Sequence, residues 1–320
     1  MPRMTLVLGM HRSGTSVLTA AIHCLGASLG ERLVPPADDN PGGYFENARA
    51  VEINEEFLLA IGSGWDDPRP FRPDWLDGPS ARSARSAIRA LLAEEFARSS
   101  WSALKDPRLC RLLPLWLPEL RAAGFHLDAV LATRNPEAIT ASLTKRDRMG
   151  SEASMVLTLR HWVAAEHDSR DLPRACLDYD AWIDAPEPHL RRIARQLNWP
   201  VKGRTAYSKA AKLIDAEQRH HRAAPPAFRD GLAGVLAEAF GLLEDPIDSH
   251  AISRLEALSR CIPLSAPDEV DGLRAALLRE RQRGVSLGRE ASDLRFGLEV
   301  AESLSRERLE ALEQTDRVLS

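Results

Sequence analysis

Cysteine is scarce in this sequence, and the cysteines present are widely spaced. Cys24, Cys110, Cys176 and Cys261 fit neither the short spacings of zinc ligands nor a CxxC redox pair. The adjacent histidines His220–His221 lack the helical spacing of a metal-binding pair. We therefore expect reduced, buried thiols and no metal site.

The sequence also lacks a surplus of positive charge. Its 42 Lys and Arg face 46 Asp and Glu, which gives a formal net charge of −4 at pH 7. Binding to the phosphate backbone of nucleic acids depends on surplus Lys and Arg, so we expect no nucleic-acid partner. Any site for an anionic ligand must then be built locally.

No apolar run has the length that a membrane span requires. The first run, Met4–Met10, is shorter than the core of a signal peptide, and later runs do not approach the length of a span. We expect a cytoplasmic protein without a membrane span.

Short β-rich apolar runs alternate with longer helical patterns, which is typical of a parallel sheet wrapped by helices. The expected fold class is α/β, with the sheet flanked by helices in a three-layer sandwich. In such sheets, ligands bind beyond the carboxyl ends of the strands. The predicted strands are Met4–Met10, Trp101–Lys105, Asp128–Thr133 and Ala175–Asp178.

Helices and one irregular loop are predicted between these strands. The segment Leu33–Phe45, rich in proline and glycine, is expected to form a loop over the sheet edge. Asp184 is expected to cap the last helix. The predicted helices are Val17–Leu25, Asn47–Ile61, Ser83–Arg98 and Ala185–Asn198.

The chain is predicted to divide into a main domain, 1–265, and a helical extension, 266–320. The extension has no proline after Pro267 and carries leucines at roughly helical spacings, interrupted by three glycines. A coiled coil that mediates homo-oligomerisation or holds a partner and a solvated, frayed helix both remain open.

The segment Gly9–Ser16 joins the first predicted strand to a helix. Its glycines allow backbone N–H groups to converge on an oxyanion, and Thr15 and Ser16 add hydroxyl donors. The spacing of Gly9 and Gly14 equals that of a Walker A loop, but Thr15 stands where that motif requires lysine. Arg12 instead places a fixed positive charge in the loop, which favours a sulfate-bearing ligand handled without Mg²⁺. An ordinary strand-to-helix turn with a solvated arginine is the structural alternative.

A second candidate anion site follows the third predicted strand. Arg134 lies at the strand tip, Asn135-Pro136 begins a helix, and Ser142 lies two turns into it. One ligand phosphate could contact both Arg134 and Ser142.

These two motifs together resemble those of the sulfotransferases that use 3′-phosphoadenosine 5′-phosphosulfate (PAPS), a family with a P-loop-NTPase-like fold. In that family the first loop, here Arg12, Ser13, Gly14, Thr15 and Ser16, binds the 5′-phosphosulfate. An Arg followed eight residues later by Ser, here Arg134 and Ser142, binds the 3′-phosphate. Bacterial carbohydrate-type and tyrosyl-type members are also similar in three shorter segments, and the resemblance covers roughly the first two hundred residues. Those segments are Asn40–Glu46, Lys105–Arg108 and Tyr179–Ile183.

The resemblance implies that PAPS is the co-substrate and that Glu46 and Lys105 act in catalysis together with Arg12. A general base is needed to take the proton of the acceptor, and Glu46 matches the glutamate of similar enzymes, with His11 as the runner-up. Lys105 matches a lysine beside the leaving phosphate. The alternatives are that Glu46 caps the following helix and that Lys105 pairs with Asp106.

Several further residues have weaker signals. Arg108 is expected to orient Glu46 or a carboxylate of the acceptor, or to be solvated. The basic segment Lys202–Arg222 either closes over the nucleotide through Arg204 or Lys209, or forms a solvated helix face. Tyr207 and Trp162 are candidates for adenine stacking, but aromatic residues are more often core, and neither is assigned.

Two other functional classes remain open. A kinase-like phosphotransferase has the same glycine spacing but requires the lysine that Thr15 replaces. A non-catalytic nucleotide-binding or assembly protein would leave Glu46 and Lys105 dispensable. The acceptor, which the resemblance suggests is a saccharide or another hydroxylated metabolite, is not identified by any residue pattern.

Overall fold

The computed structural model describes residues 1–37, 40–203, 205–214 and 231–260 of the chain. The predicted extension 266–320, the boundary that precedes it, Cys261, Arg204 and the pair His220–His221 lie outside the described residues. The extension and its role therefore stay predictions.

Four parallel strands form one sheet in the order β2-β1-β3-β4. They are β1 (Arg3–Leu8), β2 (Trp101–Lys105), β3 (His126–Thr133) and β4 (Arg174–Asp178). All four predicted strands are present, with ends within two residues of those expected. Because the strands are parallel, their carboxyl ends meet at one edge of the sheet.

Helices cover both faces of the sheet, which confirms the predicted three-layer α/β architecture. The described helices, in chain order, are α1 (Thr15–Cys24), α2 (Ala48–Ala60), α3 (Pro79–Leu91), α4 (Leu109–Ala122), α5 (Pro136–Asp147), α6 (Ser151–Asp168), α7 (Tyr179–Asp184), α8 (Pro186–Gln196), α9 (Thr205–Ala211), α10 (Gly231–Leu242) and α11 (Ser249–Ser259).

Each face of the sheet has its own apolar core, because successive strand residues point to opposite faces. Met4, Leu6 and Leu8 of β1 pack with residues of α2 to α6, α10 and α11. Val7 packs on the other face with residues of α1, α7, α8 and α9. The strands are therefore apolar on both faces, as expected for a buried parallel sheet.

Two helix ends differ from the prediction. The helix expected over Ser83–Arg98 begins four residues earlier, with Pro79 in its first turn, and its last part is a π-helical turn, Leu92–Phe96. Asp184 does not cap α8; it ends α7, and Ala185 occupies the cap position without a side-chain hydrogen bond. The reason for the second difference is that a short helix, α7, which was not predicted, ends just before Pro186.

The described cysteines, Cys24, Cys110 and Cys176, are all free thiols, as predicted. Cys110 and Cys176 are buried, but the expectation of burial is wrong for Cys24, which is only partly buried. Burial raises the pKa of the Cys110 thiol to about 12, so it stays protonated and unreactive at neutral pH. Among the described residues, no helix is both long and apolar enough to cross a membrane.

Candidate active site

The glycine loop between β1 and α1 has the backbone shape expected of an anion cradle. Arg12 and Gly14 both adopt left-handed conformations, with φ of 70° and 84°. A Cβ atom on Gly14 would lie 2.0 Å from Cδ2 of Tyr179, so this close approach requires glycine. Gly14 also brings no side chain to cap α1, which leaves the first N–H groups of the helix for a ligand.

Lys105 supplies an ammonium group at the start of α1. Its strand, β2, lies beside β1 with Lys105 in register with Val7, so the lysine reaches the segment that follows β1. Its Nζ atom lies 3.1 Å from Oγ of Ser16 and 3.2 Å from the carbonyl oxygen of Tyr44. A lysine from the neighbouring strand thus lies beside the loop, which has Thr15 where a Walker A loop has lysine.

Glu46 forms an ion pair with Lys105, with 2.5 Å between Oε1 and Nζ. Both residues are buried, with 7% and 3% of their surfaces exposed. Burial raises the pKa of Glu46, and the positive charge of Lys105 opposes that rise. The helix that follows is capped by Asn47, whose side chain accepts from the backbone N–H of Ala50, so Glu46 is not its cap.

The second anion motif lies against the glycine loop. Nη1 of Arg134 donates to the carbonyl oxygen of Arg12 at 2.9 Å, and Nε of Arg12 donates to Oγ of Ser142 at 2.7 Å. The guanidinium of Arg134 stacks 4.7 Å from the ring centre of Tyr179. Two segments that are 122 residues apart in the chain, at Arg12 and Arg134, are thereby joined by direct hydrogen bonds.

These residues line one cleft at the carboxyl edge of the sheet, with a volume of about 770 Å³. That volume is in the range of small-molecule sites. Ser13 alone among the predicted site residues does not line it, because it is buried and its hydroxyl donates to the carbonyl oxygen of Met10. The predicted residues that line the cleft are Arg12, Gly14, Thr15, Ser16, Glu46, Lys105, Arg134 and Ser142.

The lining of the cleft has more cationic than anionic side chains, although the whole chain is negative. Five Lys or Arg residues and two carboxylates, Glu46 and Asp147, contribute to its lining. The cations come from four separate segments of the chain, so the local excess does not appear in the overall composition. The arrangement suits a ligand with several negative charges.

His11 lies at the cleft in a form that disfavours its role as a base. Burial, together with the charges of Arg108 and Arg146, lowers the pKa of His11 well below its usual value. The imidazole is therefore neutral and weakly basic, and its Nε2 atom has no hydrogen-bond partner among the described residues. The ring packs 4.5 Å from that of Trp65.

Tyr179 belongs to a segment that was singled out from the sequence, whereas Trp65 and Arg146 were not. Tyr179 contacts the loop and Arg134, Trp65 packs on His11, and Arg146 lies over Trp65 at 5.5 Å. A signal for Arg146 was present, since it follows Ser142 by one helical turn and so shares its face of α5. No comparable spacing pointed to Trp65.

The expectation for Arg108 is corrected by its contacts. Arg108 lines the cleft, but it donates to Oδ1 of Asp106 at 2.8 Å and to Oε1 of Glu55 at 2.7 Å, and it does not orient Glu46. Asp106 is fully buried and also accepts from Asn54 at 2.8 Å. Arg108 is thus part of a buried polar network that fixes the end of β2.

The remaining candidates lie elsewhere. Trp162 is buried in the core, where it stacks on Phe240 at 5.9 Å, and the ring of Tyr207 is covered by Arg191 at 4.3 Å. Lys209 is exposed on α9 and does not line the cleft. Over the described ranges, no group of three or more His, Cys, Asp or Glu side chains could hold a metal ion.

Comparisons with known proteins gave matches among solved structures alone. No protein-family model matches the chain, and no curated protein matches it. The sulfotransferase domain of the Synechococcus PCC 7002 olefin synthase is 15% identical, with a TM-score of 0.40, over 81% of this chain and 95% of that one. The sulfotransferase domain from the curacin biosynthetic pathway is 14% identical, with a TM-score of 0.38, over 81% and 98%. Sulfotransferase STF1 from Mycobacterium tuberculosis is 14% identical, with a TM-score of 0.37, over 66% and 71%.

Proposed function

We propose that this protein is a PAPS-dependent sulfotransferase that moves a sulfuryl group onto a hydroxyl or amine of an acceptor. The observation that carries the proposal is the convergence of two anion motifs on one cleft. Arg134 and Ser142 both hydrogen-bond to Arg12 of the glycine loop. A ligand with anionic groups at both ends of one nucleoside matches that pair of motifs.

The two ends of the donor are assigned to the two motifs. In the proposal, Arg134 and Ser142 hold the 3′-phosphate. The 5′-phosphosulfate is held by the N–H groups at the start of α1 with Thr15 and Ser16. Lys105, 3.1 Å from Ser16, neutralises charge at the same end.

A sulfuryl donor fits this cleft better than ATP with Mg²⁺. Thr15 occupies the position of the Walker lysine, and the nearby lysine, Lys105, belongs to β2 and contacts Ser16. Transfer of a sulfonate leaves one negative charge on the phosphate oxygen, which Lys105 and Arg12 can neutralise together with backbone N–H groups.

The proposed reaction is an in-line displacement at sulfur. The acceptor oxygen or nitrogen forms a bond to sulfur while the bond from sulfur to the 5′-phosphate oxygen breaks, and the acceptor proton passes to Glu46. The raised pKa of Glu46 makes it a stronger base than an exposed glutamate, as proton transfer near neutral pH requires. The products are the sulfated acceptor and 3′-phosphoadenosine 5′-phosphate (PAP).

Replacing Glu46 by glutamine tests the proposal because it removes the base and keeps the shape of the side chain. Sulfuryl transfer from labelled PAPS to a panel of glycans, lipids and phenols is measured for the wild type and for Glu46→Gln. We expect kcat to fall by about 10²–10⁴ while PAP binding is retained. The matched control, Glu52→Gln, removes an exposed carboxylate of α2 that pairs with Arg49 on the surface and is expected to keep its turnover.

Two results would contradict the proposal. A wild-type protein that does not bind PAP would remove the donor assignment. Equal turnover for the wild type and Glu46→Gln would contradict the assignment of Glu46 as the base. It would indicate that this glutamate only stabilises the loop.

A further inference from the structure

The contacts of Lys105 account for its whole hydrogen-bonding capacity. An ammonium group has three N–H donors. Nζ of Lys105 has three acceptors, Oε1 of Glu46 at 2.5 Å, Oγ of Ser16 at 3.1 Å and the carbonyl oxygen of Tyr44 at 3.2 Å. Lys105 can donate to a bound anion only by giving up one of these acceptors.

The three acceptors belong to the parts that the proposed reaction must bring together. Ser16 belongs to the anion loop, Glu46 is the proposed base, and Tyr44 belongs to the loop between them. Asn40 also bridges this loop to Ser16, with its Nδ2 atom 2.7 Å from the carbonyl oxygen of Gly43 and 3.5 Å from Oγ of Ser16. A change at Lys105 is therefore transmitted directly to the base.

We propose that Lys105 exchanges partners when the donor binds, so that loading of the donor releases Glu46 for the acceptor. This inference rests on the function proposed above. An anion beside Ser16 competes with the Glu46 carboxylate for the same ammonium group. Glu46 then lies buried without its cationic partner and close to a new negative charge, which is unfavourable unless another donor contacts it.

The acceptor supplies that missing contact. A hydroxyl or amine that donates to Glu46 satisfies the carboxylate and at the same time positions its own proton for removal. Donor and acceptor therefore bind cooperatively, the donor first, and each tightens the binding of the other by the same factor. In this account Lys105 contacts the donor and acts as a positioning residue for Glu46.

The affinity for PAP distinguishes this exchange from a purely structural ion pair. In Glu46→Gln, Lys105 no longer has to leave a buried carboxylate and the repulsion between that carboxylate and PAP is gone. We expect calorimetry to show about tenfold tighter binding of PAP than to the wild type. Glu52→Gln, which alters only an exposed pair with Arg49 on the same helix, is expected to leave the PAP affinity unchanged.

An unchanged or weakened affinity in Glu46→Gln, with normal binding of PAP to the wild type, would overturn the exchange and leave the proposed function intact. Absence of PAP binding to the wild type would instead contradict the proposed function. The wild type offers a second measurement should Glu46→Gln fail to fold. The increase in melting temperature caused by inorganic sulfate should grow as the pH falls through the range where Glu46 gains its proton.

That pH dependence has a distinctive sign. Phosphate groups of PAP gain protons below about pH 6, which weakens their binding to cations. Protonation of Glu46 acts in the opposite direction, because it removes the competitor for Lys105. Inorganic sulfate keeps its charge in this range, so stabilisation by sulfate that does not grow toward acid pH would overturn the exchange.

Discussion

Arg134→Met removes the guanidinium that joins the second anion motif to the glycine loop. In the wild type this side chain is buried, donates to the carbonyl oxygen of Arg12 at 2.9 Å and stacks on Tyr179 at 4.7 Å. Loss of a hydrogen bond from a charged donor costs about 1.5–3 kcal/mol, and loss of the cation–π contact costs about 0.5–2 kcal/mol. We expect the free energy of unfolding to fall by about 2–5 kcal/mol.

The same substitution should weaken PAP binding by a separate route. The proposed contact between Arg134 and the 3′-phosphate is a charge-assisted hydrogen bond, so its loss corresponds to about 10- to 100-fold in the dissociation constant. Arg134→Lys keeps the charge but loses the planar group, and should lie between the wild type and Arg134→Met in both measurements.

Urea unfolding and calorimetric titration with PAP measure the two effects. Arg121→Met is the matched control, because Arg121 pairs with Asp171 on the surface, where the two side chains are 47% and 63% exposed. That pair should contribute less than about 1 kcal/mol, and its loss should leave PAP binding unchanged. A folded Arg134→Met protein that binds PAP as tightly as the wild type would refute the assignment of the second motif.

Two further substitutions test the loop and the core. Gly14→Ala should lower the free energy of unfolding by more than Gly62→Ala. Both glycines have positive φ, but an added Cβ atom would meet the Tyr179 ring at Gly14 and would meet nothing within 4 Å at Gly62. Equal losses in urea unfolding would contradict this steric explanation. Burial lowers the pKa of His161 to about 3, below the value of about 6.5 for unfolded histidine, so the unfolded state binds the proton first and stability is lost as the pH falls between these values. His161→Phe should therefore reduce the loss of stability between about pH 6 and pH 4 by up to about 1.4 kcal/mol per pH unit. Urea unfolding across that range measures this loss. The same change of unfolding free energy with pH in the wild type and the variant would contradict the prediction.

The sheet and its ligand edge could be predicted from the sequence because strands buried on both faces form continuous apolar runs. Each run ends in polar residues where the strand ends, which places Arg12, Lys105 and Arg134 near one edge. Arg134 follows the tip of β3 and Ser142 lies about two turns into the helix that begins next, so both side chains could be expected to face the same space at that edge.

Contacts between distant segments could not be predicted in the same way. The pairing of Lys105 with Glu46, rather than with the adjacent Asp106, depends on the path of the loop before α2, which no periodic pattern encodes. The interaction of Arg108 with Glu55 depends on how α2 packs beside the end of β2. The packing of Tyr179 against Gly14 likewise follows from the spacing of β4 and β1 across the sheet, and not from any local motif.

The most direct test of the central claim compares how PAP, ADP and ATP with Mg²⁺ change the melting temperature of the wild-type protein. A ligand at about 100 times its dissociation constant adds about 2.7 kcal/mol to the free energy of unfolding, which corresponds to several degrees. The two anion motifs predict that PAP produces the largest increase and that ADP, which lacks the 3′-phosphate, produces a smaller one. A larger increase with ATP and Mg²⁺ than with PAP would contradict the claim.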